Sequence, residues 1–227
     1  MVDERGWALA DVPRKLEAWY VTHGRDFCWR RGELTPWQVL VAECLLQQTP
    51  SGRVNRFLPR FFQQYPDAAA TRASPVQALE AALRPLGFQR IRAANLSALA
   101  RALGNDAPPT DREALLRLPG VGQYVAAAYL CTIHGERTFL LDVNFARVVE
   151  RVFAPRLRPD LRDDPVLDRV GQALAATASD PRRFNWAVLD LGALVCRPRA
   201  PRCGVCPLVT HCAFAADPGA TPGSTQE

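Results

Sequence analysis

Lysine is almost missing from this chain. Lys15 is the only one among 28 basic residues in a sequence of 227, so a lysine amine is excluded as a nucleophile everywhere but near the N-terminus. Long apolar runs are missing too. None approaches the length of a membrane span, and the opening Met-Val-Asp-Glu-Arg is no signal peptide, so a cytoplasmic protein without a membrane partner is expected. No stretch alternates apolar and polar residues with period two over a useful length, which argues against a sheet. There is no internal repeat. Seven cysteines are present, but in a cytosolic chain disulfides are not expected.

What is there is a globular composition, 48% hydrophobic, enough for one large or two small domains. Apolar periodicity and caps predict an all-α fold of about ten helices. Helices are expected over 11–21, 37–48, from Ser51 to about Tyr65, and over 76–83, 91–103 and 113–118. Others are expected from Gly122 to about Ile133, and over 144–153, 165–178 and 181–196. From Ala213 the residues are small and polar, and disorder is expected. The net charge is +5 and is concentrated locally. Between Pro181 and Cys212, Arg182, Arg183, Arg197, Arg199 and Arg202 face one acid, Asp190, for +4. A basic surface of this kind suits a polyanion.

Three stretches carry chemistry. In Leu116-Arg117-Leu118-Pro119-Gly120-Val121-Gly122-Gln123-Tyr124 a helix stops at a proline, two glycines allow a tight turn, and an Ala-rich helix follows. A hairpin of this kind aims N–H groups outward from a helix N-terminus, a nest for an anion such as phosphate. Gly120, Val121 and Gly122 are the expected contacts. In the apolar helix behind Thr35-Pro36, Glu43 stands alone; a carboxylate there is either partnered or functional. Cys196, Cys203, Cys206 and Cys212 form C-x6-C-x2-C-x5-C, and four such thiolates can hold zinc or an iron–sulfur cluster. Cys28, Cys44 and Cys131 are isolated and read as packing residues.

The hairpin, then Leu140-Leu141-Asp142-Val143-Asn144-Phe145-Ala146-Arg147, then the cysteines, resemble in order and spacing the helix-hairpin-helix DNA glycosylases. These include endonuclease III, the MutY adenine glycosylases and the mismatch-specific thymine/uracil glycosylases. The resemblance covers about Arg25 to Cys212. It implies two helical domains with a DNA-binding cleft between them. One is a six-helix barrel with the hairpin, 22–134. The other, 1–21 and 135–213, holds a [4Fe-4S] cluster on the four cysteines, and 214–227 is a disordered tail. The expected partner is double-stranded DNA with a mismatched or damaged base, bound by a monomer, with Arg197, Arg199 and Arg202 near phosphates.

Residue by residue, the resemblance makes Asp142 the catalytic carboxylate. Its position before a helix also suits an N-cap, and the two roles are compatible. A carboxylate beside a sugar stabilises oxocarbenium character as an N-glycosidic bond breaks, and it can activate water. Asn144 matches an Asn near that carboxylate in MutY-like enzymes. Glu43 matches the MutY Glu that protonates adenine. Gln47 or Gln48, and Phe88, match places from which the family inserts side chains into the base stack. Tyr124 departs from endonuclease III, whose members carry at this place the Lys that forms a Schiff base and cleaves the strand. A phenol forms no imine, so a monofunctional glycosylase is expected, as in the mismatch thymine group. Phe88-Gln89 stands where MutY relatives have Tyr-Tyr, and about 15 residues follow Cys212, too few for their oxidised-guanine-reading domain. Thymine or uracil opposite guanine is the expected target. Adenine, then oxidised pyrimidines, are the alternatives within the class, and a non-catalytic lesion-binding module is the alternative outside it.

Overall fold

Caps decide where the helices begin. In the computed structural model, which describes residues 10–154, 157–158, 160–161 and 164–216, the first is α1 (Asp11–His23). Next is α2 (Pro36–Leu46), where Thr35 and Gln38 form a reciprocal capping box around Pro36. Then come α3 (Ser51–Gln64), α4 (Ala68–Ala73), α5 (Val76–Leu83), α6 (Gln89–Leu103), α7 (Arg112–Leu116) and α8 (Gln123–His134). The chain continues with α9 (Val143–Phe153), α10 (Pro165–Thr177), α11 (Pro181–Leu194) and α12 (Ala213–Ala216). Asp67, Asp111, Asp142, Asp164 and Asp180 each accept a backbone N–H in the first turn of the helix they precede. No strand occurs among the described residues, and the fold is all-α. Among the described residues no helix is long and apolar enough to cross a membrane.

The chain divides into two compact units, residues 26–134 and residues 1–25 with 135–227. The first unit carries α2 to α8. Its centre is α2, buried along Trp37, Val39, Leu40, Val41, Ala42, Glu43 and Leu45 and packed against α8 and α3. In the second, α11 is packed by α1, α9 and α10, with Leu16, Phe145, Phe184 and Leu191 in the core. Asp190 of α11 is fully buried there. Its carboxylate accepts the Arg25 backbone N–H at 2.7 Å and Nε at 2.8 Å, and it pairs with Nη2 at 2.7 Å. A buried carboxylate must be matched in this way.

Two differences from the sequence reading appear. The six-residue α4 was not expected; its start rests on Asp67 bonding Ala70 N–H at 2.7 Å, too local a signal for periodicity. Residues 214–216, expected to be disordered, belong to α12. Ala216 N–H bonds the Cys212 carbonyl at 3.1 Å, and the Phe214 ring lies under Arg151, 4.8 Å from its guanidinium carbon. The remainder of that tail, 217–227, lies outside the described residues.

Candidate functional site

In the unit of residues 26–134, chemistry gathers at the turn between α7 and α8. Gly120 sits at φ +79°, a conformation that favours glycine. Its carbonyl accepts Gln47 Nε2 at 3.1 Å. The α8 N-terminus leaves the N–H groups of Gly122 and Gln123 without an intrahelical acceptor. Arg112 Nη2 donates to Gln123 Oε1 beside them at 2.8 Å. The Val121 side chain is buried in the core, and its N–H bonds the Leu118 carbonyl at 3.2 Å. Tyr124 is half-buried in the first turn of α8.

Glu43 lies mid-helix in α2 and is 5% exposed. Burial pushes its carboxyl up to about 7, against the pull of the Arg30 guanidinium. Its neighbour Cys44 is pushed up to about 12 by burial and by Glu43. The linkage has a definite sign. Between pH 4.5 and 7 the folded chain keeps a proton that the unfolded chain has released, so stability falls across that window and the loss is complete above it. Glu43→Gln is therefore expected to unfold at higher urea than wild type at pH 8.5, by about 3 kcal/mol, with the difference closing by pH 4.5. A gap that does not change with pH would contradict this.

Gln48 and Phe88 are both non-glycine residues at positive φ, +56° and +50°, a conformation that costs about 1–3 kcal/mol and persists only where the surroundings enforce it. Gln47 and Gln48 are exposed, and Phe88 is 60% exposed. An aromatic ring left so open is not a core residue.

In the other unit, the extended segment 138–141 leads to Asp142. Asn185 of α11, fully buried, holds this segment. It accepts the Leu140 N–H at 2.8 Å and donates to the Thr138 carbonyl at 2.8 Å. Asp142 then caps α9. Oδ1 accepts the Asn144 and Phe145 N–H groups at 2.9 and 2.7 Å, and Oδ2 accepts Asn144 Nδ2 at 2.6 Å. Asn144 is placed in turn. A Cβ on Gly192 would come within 2.6 Å of its Cβ, and its Oδ1 accepts Arg147 Nη2 at 2.7 Å. Arg147 also donates to the carbonyls of Gly192 and Cys196, each at 2.8 Å. A continuous set of contacts thus runs from the Asp142 carboxylate to the first cysteine.

Cys196, Cys203, Cys206 and Cys212 line one cavity together with Val148, Arg151 and Leu191. No three His, Cys, Asp or Glu side chains among the described residues are grouped as ligands of a single metal ion. Arg151 donates to Cys196 Sγ at 3.4 Å and to the carbonyls of Arg197 and Pro198 at 2.8 and 3.0 Å. Arg197, Arg199 and Arg202 are exposed on this loop. Lys15 Nζ lies 3.1 Å from His211 Nδ1, beside Cys212.

Residues 41–162 match the HhH-GPD superfamily base excision DNA repair protein family. The chain belongs to that family. It is 37% identical over 206 residues to the thymine/uracil-DNA glycosylase of Pyrobaculum aerophilum, covering 86% of this chain and 88% of that one. It is 38% identical over 196 residues to the adenine DNA glycosylase of Mycobacterium tuberculosis, covering 85% of this chain but spanning only 64% of that protein's length. Among solved structures, a thermostable thymine-DNA glycosylase superposes with a TM-score of 0.81 at 28% identity, covering 92% of this chain and 97% of that one.

Within this HhH-GPD chain, Asp142 and Asn144 are in direct contact, as are Gln47 and Gly120, and the four cysteines face one cavity. Sequence reasoning missed the supports Arg92, Arg147 and Gly192. Arg92 had a readable signal, since it recurs with Leu96, Leu99 and Leu103 on the buried face of α6.

Proposed function

We propose that the chain is a monofunctional DNA glycosylase of base excision repair that acts at the nucleoid and releases thymine or uracil opposite guanine. The observation that carries this reading is the Asp142 carboxylate, fixed by three hydrogen bonds, in a chain whose one lysine is bound at His211. As the N-glycosidic bond breaks, its electron pair leaves with the base. Asp142 offsets the positive charge that grows on the sugar and takes a proton from the water that bonds to the anomeric carbon. Glu43, whose proton is retained to about pH 7, donates to or holds the departing base. Gln48 and Phe88 enter the stack that the flipped nucleotide leaves. Asn144 orients the carboxylate, and Gly120 and Gly122 with the exposed arginines take phosphates.

The four cysteines line one cavity, and their C-x6-C-x2-C-x5-C spacing, which resembles that of the cluster-bearing members of the family, supports a [4Fe-4S] cluster rather than a zinc ion. When bound, the cluster would cross-link the loop that bears Arg197, Arg199 and Arg202, with no redox step implied.

A panel of duplexes carrying G·T, G·U, A·oxoguanine and thymine glycol tests the reading. Base release is expected from G·T and G·U, with strands breaking only after alkali. Nicking as fast as base release would overturn the monofunctional assignment, since Tyr124 offers no amine. The identity to an adenine DNA glycosylase, 38% against 37% for the thymine/uracil enzyme, favours a second reading, and release of adenine opposite oxoguanine, with none from G·T, would select it. Binding without release on every duplex would make the chain a lesion-binding module.

A further inference from the structure

Arg92 reaches from the buried face of α6 into two loops at once. It is 8% exposed. Its Nε donates to the Gly87 carbonyl at 3.0 Å, immediately before Phe88. Its Nη2 donates to the Gln47 carbonyl at 2.9 Å and to Thr49 Oγ1 at 2.6 Å, the residues on either side of Gln48. Nη1 donates to the Leu45 carbonyl at 2.9 Å, in the last turn of α2. One guanidinium therefore bonds the backbone before each of the two exposed, positive-φ residues. A planar fork with fixed donor directions sets where these carbonyls lie relative to each other; a lysine ammonium on a flexible stem does not.

We propose that Arg92 is a positioning residue that couples Gln48 and Phe88 into one preorganised device for opening the duplex. This rests on the reading above, in which both enter the base stack. Two side chains on loose loops would each have to be ordered at every encounter with DNA, whereas a shared clamp orders both beforehand. Arg92 touches neither substrate nor reacting atoms in this role. Its effect belongs to the opening step and is absent where opening costs nothing.

The test compares Arg92→Lys with wild type on two duplexes, one with the target base paired to guanine and one with it facing an abasic site. Single-turnover release from the paired duplex is expected to fall about 100-fold, and release from the pre-opened duplex by no more than about threefold. Gln48→Ala and Phe88→Ala should each slow wild type on the paired duplex, yet add less than about twofold in the Arg92→Lys background. Equal slowing on both duplexes, or effects that multiply, would overturn the proposal. Thr49→Val removes one acceptor and keeps the fork, so it should show a smaller selective loss if Arg92→Lys fails to fold. A 2-aminopurine beside the mismatch reads opening without base release. Wild type should raise its fluorescence on binding and Arg92→Lys should not, even if no duplex is cut at its glycosidic bond; an equal rise in both sinks the coupling alone.

Discussion

Asp142→Asn is expected to slow base release by about 1,000-fold or more, because it removes both electrostatic stabilisation and a general base, while mismatch affinity stays within a few-fold. The substitution is chosen for what it preserves. Asn is as good an N-cap as Asp, so Oδ1 can still accept the Asn144 and Phe145 N–H groups and α9 keeps its start. One contact is lost, since an amide NH₂ in place of Oδ2 would face Asn144 Nδ2. Asn144 cannot turn its oxygen round to meet it, because that oxygen is held by Arg147. The local cost is about 1 kcal/mol, far below the effect on the reaction. Single-turnover rates with excess enzyme on G·T and G·U duplexes, beside gel-shift affinities, separate the two. A variant that releases base at the wild-type rate would mean that the carboxylate serves only as a cap.

Much of this arrangement was legible because it is local in sequence. Asp142 precedes the helix it caps, Thr35-Pro36 marks the start of α2, and Gly120 stands at the positive φ of the hairpin turn. The exposure of Phe88 follows from its left-handed place before α6, which no local pattern of residues marks. What the supports hold was not legible, even where burial of the support itself could be read, because each acts through a backbone group far along the chain. Asn185 holds Leu140 across 45 positions, and Arg92 holds Leu45 across 47. A carbonyl carries no residue type, so no pattern of side chains announces that it will be bonded. Arg92 is buried, while Arg84, Arg90 and Arg101 around it are exposed. The motif marks the turn as a unit, but packing assigns its middle residue, Val121, to the core.

Cys206→Ala is expected to remove a broad absorbance near about 400 nm, to reduce iron from about four per chain, and to weaken DNA binding about 10- to 100-fold. The residues of the loop explain why. Between Cys196 and Cys212 the chain makes only two short 3₁₀ turns, Cys203–Val205 and Val209–His211, and only Leu208 is fully buried. So little apolar burial does not fix a loop of this length against its entropy. The thiols do not hold themselves together either: the four side chains face one cavity, and burial pushes Cys206 up to about 11, which favours its neutral form. A group that bonds all four as thiolates would supply the missing constraint, and the Arg151 guanidinium beside Cys196 Sγ would favour the negative charge that results. The affinity loss then follows from geometry, because Arg197, Arg199 and Arg202 lose their fixed places while their charges remain. The slope of log K against log salt should flatten by about 2 to 3 if each arginine neutralises one phosphate. Replacing those three arginines with alanine should reproduce the affinity loss and the flatter slope but leave the colour intact. A colourless wild-type protein, purified without oxygen and carrying zinc, would overturn the cluster assignment.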